Sequence, residues 1–400
     1  MGKRILLVWE IGAGEGHLLK LGWIARALRA RGHEVLLATS PSRALKTQDT
    51  YGTTEILPAP VWPGQADNQL YRLPGRTTGL ADDLWRLGLG ATGAFERLLR
   101  EWDQLLAKVK PDVLIGDAAP ACLAAAYGRI PSVAIGTGFT LPPAVAGQFG
   151  SIDPEGRPPQ VEETSLLDAA NTGLRATGRA SLRCLPELYR ADRTCVGTFA
   201  EFDPYGDARE NPVATPWLPE WTAATSMRRE EIFCYLSFNI AELRTLLIAL
   251  AQVAALGVPV RVYIPRADPE TARWLETRAI RLAPKPLPLN EIQSCARLVI
   301  SFGSLGFVSF ALAAGIPQIV IPHSLSHEVT GRIVAKIGAG HSFKLDARSP
   351  LEADLLAQAI HHIFSNDEPT ERSKSLAPGF MRRTLPRTPE VTAAMVDELL

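Results

Sequence analysis

Arg4-Ile5-Leu6-Leu7-Val8-Trp9 is followed by Gly12-Ala13-Gly14-Glu15-Gly16-His17, then by Leu18, Leu21, Ile24, Ala25 and Leu28, and, past Gly32, by the apolar run 34–38. The first run is short and continuously apolar, as in a parallel strand buried on both faces. Glycines 12, 14 and 16 make a turn. The next apolar positions keep helical spacing, and Gly32 ends it. Strand, glycine turn, helix and strand in this order predict an α/β fold with a doubly wound parallel sheet.

The same alternation returns further on. Residues 81–110 read as one long helix ending before Pro111, and 113–115 as a strand with Asp117 at its carboxyl end. Residues 118–128 read as a small-residue helix and 132–135 as a strand. Stretches 60–80 and 140–185 are less regular, as insertions lining a ligand cleft or packing on a surface are. The proline-rich stretch 203–230 reads as a connection. A second series then begins: strands at 232–236, 260–264, 298–301 and 318–321, and helices at 242–256, 269–278, 307–314, 328–337 and 352–364. The expected architecture is two Rossmann-like domains, 1–215 and 216–400, facing an interdomain cleft, with a last amphipathic stretch, 389–400, available to pack back on the first.

Length and composition agree. Four hundred residues exceed one ordinary core, and 46% hydrophobic residues can fill two. Lys+Arg and Asp+Glu both total 42, a balance that argues against a dedicated nucleic-acid binder. Five cysteines without a Cys-x-x-Cys pair disfavour a disulfide framework or a zinc ribbon and suit a reducing cytoplasm. No apolar run reaches the length of a membrane span.

Three constellations carry candidate chemistry. The turn at 12–17 resembles a dinucleotide fingerprint but lacks its third glycine, and 39–40 lack the acidic residue that would hold a ribose. His17 at the helix start is held neutral by the helix dipole, which suits a general base; it can equally hydrogen-bond within the turn. Asp117 can orient His17 and stabilise its imidazolium, or simply cap the following helix. Phe302-Gly303-Ser304-Leu305-Gly306 lies at a strand-to-helix turn, where small residues form a nest of N–H groups for a phosphate, or only a tight turn. Pro322-His323-Ser324-Leu325-Ser326-His327-Glu328 follows the next strand. His323 and His327 lie on an expected loop without a third ligand near in sequence, so no metal site is expected. His361-His362 reads as a surface feature. There is no Asp-x-Asp, no Gly-x-Ser-x-Gly elbow and no Walker motif, which argues against metal-dependent sugar transfer, an esterase and a P-loop ATPase.

These pieces together resemble the family-one glycosyltransferases of GT-B fold, the group of UDP-glucosyltransferases and macrolide glycosyltransferases. Gly16-His17 with the segment 28–35, the segment 111–117, Ala311-Leu312-Ala313-Ala314-Gly315-Ile316-Pro317 and the segment 334–340 carry the likeness. The resemblance implies that His17 is the catalytic base and Asp117 its support. It implies a nucleotide-sugar donor, a UDP-sugar first, bound around Gly16, Ser237, Gly303, Ser304, Gly306, Phe307, His323, Ser326 and His327, and no cofactor or metal. The family's His-x-Gly-x-Gly-Thr-x-x-Glu reads Phe302, Ser304, Gly306, Phe307 and Phe310 at its fixed positions, and its Asp-Gln pair reads Ser326-His327. The expected activity is inverting transfer of a sugar to the hydroxyl of a small-molecule or lipid-like acceptor. The rival expectation, prompted by the phenylalanines, is a catalytically inactive relative that binds a ligand or a partner. An epimerase or hydrolase on the same fold lacks further acid/base residues to support it.

Overall fold

A computed structural model describes residues 2–12, 16–41, 55–66, 76–144, 147–221, 227–236, 243–265, 267–345 and 352–400. Two units are present, Met1–Trp217 with Pro386–Leu400, and Leu218–Leu385.

In the first unit, strands β1 (Arg4–Trp9), β2 (Glu34–Thr39), β3 (Glu55–Pro58), β4 (Val113–Asp117), β5 (Ser132–Gly136) and β6 (Arg193–Val196) form one parallel sheet ordered β3-β2-β1-β4-β5-β6. Ile5, Leu7 and Trp9 face the helix Gly16–Ala30, whose Leu21, Ile24 and Leu28 are buried against them. Leu6 and Val8 face the opposite layer with Trp62, Trp102 and Leu123. Burial on both faces is why β1 is apolar throughout. The closing helix Thr388–Leu399 belongs to this unit and buries Ala393 and Val396 beside Ile5 and Leu7.

In the second unit, β7 (Glu231–Tyr235), β8 (Val260–Tyr263), β9 (Ile280–Leu282), β10 (Ala296–Ser301), β11 (Gln318–Val320) and β12 (Gly340–Ser342) are ordered β12-β11-β10-β7-β8-β9. This is the order of the first sheet, read from its other edge. In each sheet the strand order reverses at the centre, between β1 and β4 and between β10 and β7, where the helices leave toward opposite faces and ligands can enter.

Several expectations need correction. The helix read over 81–110 is two, Leu80–Arg86 and Ala94–Val109, because Gly88 and Gly93 take positive φ between them. The stretch 140–185, read as irregular, contains the helix Glu163–Ala176. His327 lies in the helix Leu325–Lys336 rather than on a loop.

Candidate active site

The first sheet sets Trp9 of β1 level with Asp117 of β4 in the parallel register. The helix Gly16–Ala30 starts beyond the tip of β1, so the second residue of its first turn, His17, hangs over the tip of β4. Its Nδ1 is 2.8 Å from Asp117 Oδ2. One turn on, Lys20 Nζ donates to Asp117 Oδ1 at 2.7 Å. Asp117 is fully buried; His17 keeps 14% of its side chain exposed. Burial by itself would raise the Asp117 carboxyl, but Lys20 and His17 more than offset this and hold it below the ordinary carboxylate range. An ionised carboxylate only accepts, so Nδ1 of His17 carries a proton, and in the neutral ring Nε2 holds the lone pair.

The indole of Trp9 stacks on the imidazole, centroids 4.9 Å apart and 13° from parallel. Gly12, with φ +96°, passes so close that a Cβ there would stand 3.0 Å from Nε2. Ala118 turns the chain straight after Asp117 with φ +47°, a strained conformation for a residue with a Cβ.

The alternative role for Asp117, capping the next helix, is taken by another residue. The N–H groups of Ala121 and Cys122, in the first turn of the helix Pro120–Ala126, donate to Glu10. Trp62 Nε1 donates to the same carboxylate at 3.1 Å. Glu10 is buried, and burial pushes its carboxyl up to about 7 despite these donors. The Ile11 N–H donates to the Ala118 carbonyl at 3.1 Å. Glu10 and Ile11 thus bind the tip of β1 to the turn that follows Asp117. Sequence reading passes over Glu10 and Lys20. The available signals are an acid directly after an apolar strand and a lysine three residues beyond the histidine on the helix's buried stripe.

The second unit gathers another group at its central strand tips. Gly303 turns out of β10 with φ +89°, and a Cβ there would meet Val320 Cγ1 at 2.7 Å. Ser304 is the N-cap residue of the helix Leu305–Ala314 and makes no side-chain cap bond, so the first-turn N–H groups, those of Gly306 and Phe307 among them, have no capping side chain. Phe302 is buried in the core and meets His323 edge-on at 5.2 Å; His323 meets His327 edge-on at 4.6 Å. Ser324 and Ser326 hydroxyls are 3.2 Å apart. Burial, with His323 adding a smaller effect, lowers His327 to about 4, so it is neutral at pH 7. Its Nδ1 has no hydrogen-bond partner.

Phe307 stacks on Tyr235, centroids 5.3 Å apart, and Phe310 is fully buried, so the aromatic side chains of the degenerate motif fill the core beside Phe233. Gly16 opens its helix in the first unit and is exposed. Ser237 lies outside the described residues. Among the described residues no three His, Cys, Asp or Glu side chains form a metal-sized group, and no helix is long and apolar enough to cross a membrane.

Residues 248–397 match the family model of the erythromycin biosynthesis protein CIII-like C-terminal domain. The erythronolide mycarosyltransferase of Saccharopolyspora erythraea is 26% identical over 308 residues, covering 73% of this chain and 70% of that one. The L-demethylnoviosyl transferase of Streptomyces niveus is 26% identical over 398 residues, 93% of each chain. The chain has the GT-B fold. Among solved structures, it superposes on the glycotransferase of kitacinnamycin with a TM-score of 0.67 at 17% identity, over 100% of this chain and 99% of that one. It superposes on the spinosyn rhamnosyltransferase SpnG complexed with thymidine diphosphate with a TM-score of 0.64 at 19% identity, over 99% of each. Identities this low show the fold alone, two parallel six-stranded sheets with flanking helices. The family-one likeness read in Gly16-His17, 28–35, 111–117, 311–317 and 334–340 accords with the family model and the two relatives.

Proposed function

We propose that the chain is a glycosyltransferase that inverts the anomeric centre of a nucleoside diphosphate sugar, with His17 as general base and Asp117 as its support. The contact between His17 Nδ1 and Asp117 Oδ2 at the centre of the first sheet carries this reading. Nε2 takes the proton of an acceptor hydroxyl. The oxygen attacks the anomeric carbon from the face opposite the diphosphate, the carbon–oxygen bond to the diphosphate breaks, and the electron pair leaves with the nucleoside diphosphate. Asp117 fixes the tautomer and stabilises the imidazolium that forms.

We assign the diphosphate to the second unit. The turn at Gly303 and the N–H groups opening the helix Leu305–Ala314 offer an anion a partial positive charge, which does there what a metal would otherwise do. Ser304 opens that helix, His323 stands against Phe302 at the turn, and Ser326 is a further candidate. The nucleotide is a uridine or thymidine diphosphate, and the SpnG complex with thymidine diphosphate supports the second. The acceptor is an alcohol on a bulky, largely apolar small molecule, a class supported by the erythronolide transferase among the relatives.

The test uses thymidine and uridine diphosphate sugars with macrolactone alcohols, reading the product's anomeric configuration by NMR. His17→Ala should lose about 10²–10⁴-fold in kcat, with the fold and nucleoside diphosphate binding by calorimetry unchanged. Undiminished transfer by His17→Ala, or retention at the anomeric carbon, would end the proposal.

A further inference from the structure

A histidine–aspartate pair would normally leave the histidine facing a full negative charge. Here the second oxygen of Asp117 is taken by Lys20, 2.7 Å away, which is buried on the same helix as His17. Lys20 Nζ also stands 5.5 Å from the centre of the Trp217 ring, so aromatic carbon rather than water covers its other side. With His17 neutral, lysine, aspartate and histidine sum to zero charge in a cluster whose ion pair is buried. Without the lysine the sum is minus one, and low-dielectric surroundings penalise that strongly.

We propose that Lys20 is a positioning residue of the transfer reaction: its ammonium pins Asp117 beneath His17 and offsets the charge that the imidazole senses. The carboxylate then orients the base without drawing a proton onto it beforehand. The inference rests on His17 being the base.

The other charged and titratable groups around the cluster leave this balance in place. Cys195 on β6 senses Lys20, but burial pushes its thiol up to about 11, so it is neutral, and it accepts from the Thr392 hydroxyl. On the closing helix, Glu390 pairs with Arg387, Asp397 with Arg31 and His33, and Glu398 with Arg193. Glu10 is engaged by Trp62 and the first turn of the helix Pro120–Ala126.

The sign follows from the charges. Removing the ammonium leaves the buried carboxylate to stabilise a proton on the pair, so the pair protonates at higher pH and the free base is lost at higher pH. The experiment follows the His17 imidazole by NMR titration in the wild-type chain and in Lys20→Gln, Lys20→Met and Lys20→Arg, with the acid limb of kcat/KM recorded for the same proteins on a thymidine diphosphate sugar and a macrolactone alcohol. Both neutral variants should move the His17 midpoint and the acid limb up by about 1 pH unit or more, with activity recovering at high pH. Lys20→Arg should keep the wild-type midpoint. Gln keeps a donor to Asp117 and Met only the apolar stem, so two chemically different neutral variants test the charge, each checked by circular dichroism. A midpoint unchanged in either folded neutral variant, or activity falling equally at every pH, would assign Lys20 a merely structural part and overturn the inference. Undiminished turnover by His17→Ala is a separate outcome: it removes the base reading, and a shifted His17 titration in Lys20→Gln would then still establish the charge coupling alone.

Discussion

Replacing Glu10 with glutamine should make the pH dependence of stability change in a calculable way. The Glu10 carboxyl is buried beneath the tip of β1, and burial raises it from an ordinary 4.5 to about 7, because Ala121, Trp62 and Cys122 only partly replace the lost water. Each unit of difference between folded and unfolded chains is worth about 1.4 kcal/mol. The native protein keeps a proton that the unfolded chain releases at lower pH. Its contribution is therefore complete below pH 4.5 and lost as pH rises through 7, a swing of about 3 kcal/mol. The amide of the Glu10→Gln variant has no such proton to lose. Urea unfolding of both proteins at pH 4.5, 6 and 8 gives the difference directly, and titrations shared by the two chains, that of His327 included, cancel. The stability of Glu10→Gln minus that of wild type should climb by about 3 kcal/mol across this range. A difference flat to within about 0.5 kcal/mol would show that Glu10 carries no retained proton.

Three further outcomes follow from the geometry. Asp117→Ala leaves the Lys20 ammonium buried without its carboxylate and should cost about 3–5 kcal/mol in denaturant unfolding; adding Lys20→Met should recover much of this, and additive losses would contradict the pairing. Gly12→Ala sets a methyl 3.0 Å from His17 Nε2 at φ +96°, so transfer should drop sharply along with about 1–3 kcal/mol of stability, read by turnover and thermal melting. His327, lowered to about 4 by burial and by His323, takes its proton later than the unfolded chain does as pH falls; stability should therefore decline from about pH 6.5 toward 4, and less steeply in His327→Gln, a pattern that equal slopes would exclude.

What local sequence determines, it determines through period and steric demand. The run Arg4–Trp9 is a strand between two apolar layers, Gly12 and Gly303 mark turns that require positive φ, and an alternation of such units permits little but a doubly wound sheet. Even the approach of His17 to Asp117, a hundred residues apart, follows from that topology, since β1 and β4 adjoin where the order reverses. Over 81–110 apolar spacing masks the two glycines that break the helix, and prolines and polar residues hide the helix Glu163–Ala176. Tertiary structure alone decided which charged groups lose their water. A lysine on a helix normally extends its stem and keeps its ammonium in solvent; Lys20 is buried because Asp117 and Trp217 stand beside it. Glu10 could have faced outward, but the first turn of a helix more than a hundred residues away needed an acceptor and Trp62 closed over it. Spacing alone does not say which phenylalanines of the degenerate motif pack in the core. Packing placed Phe302 and Phe310 inside, because burial depends on what the rest of the chain brings to each face.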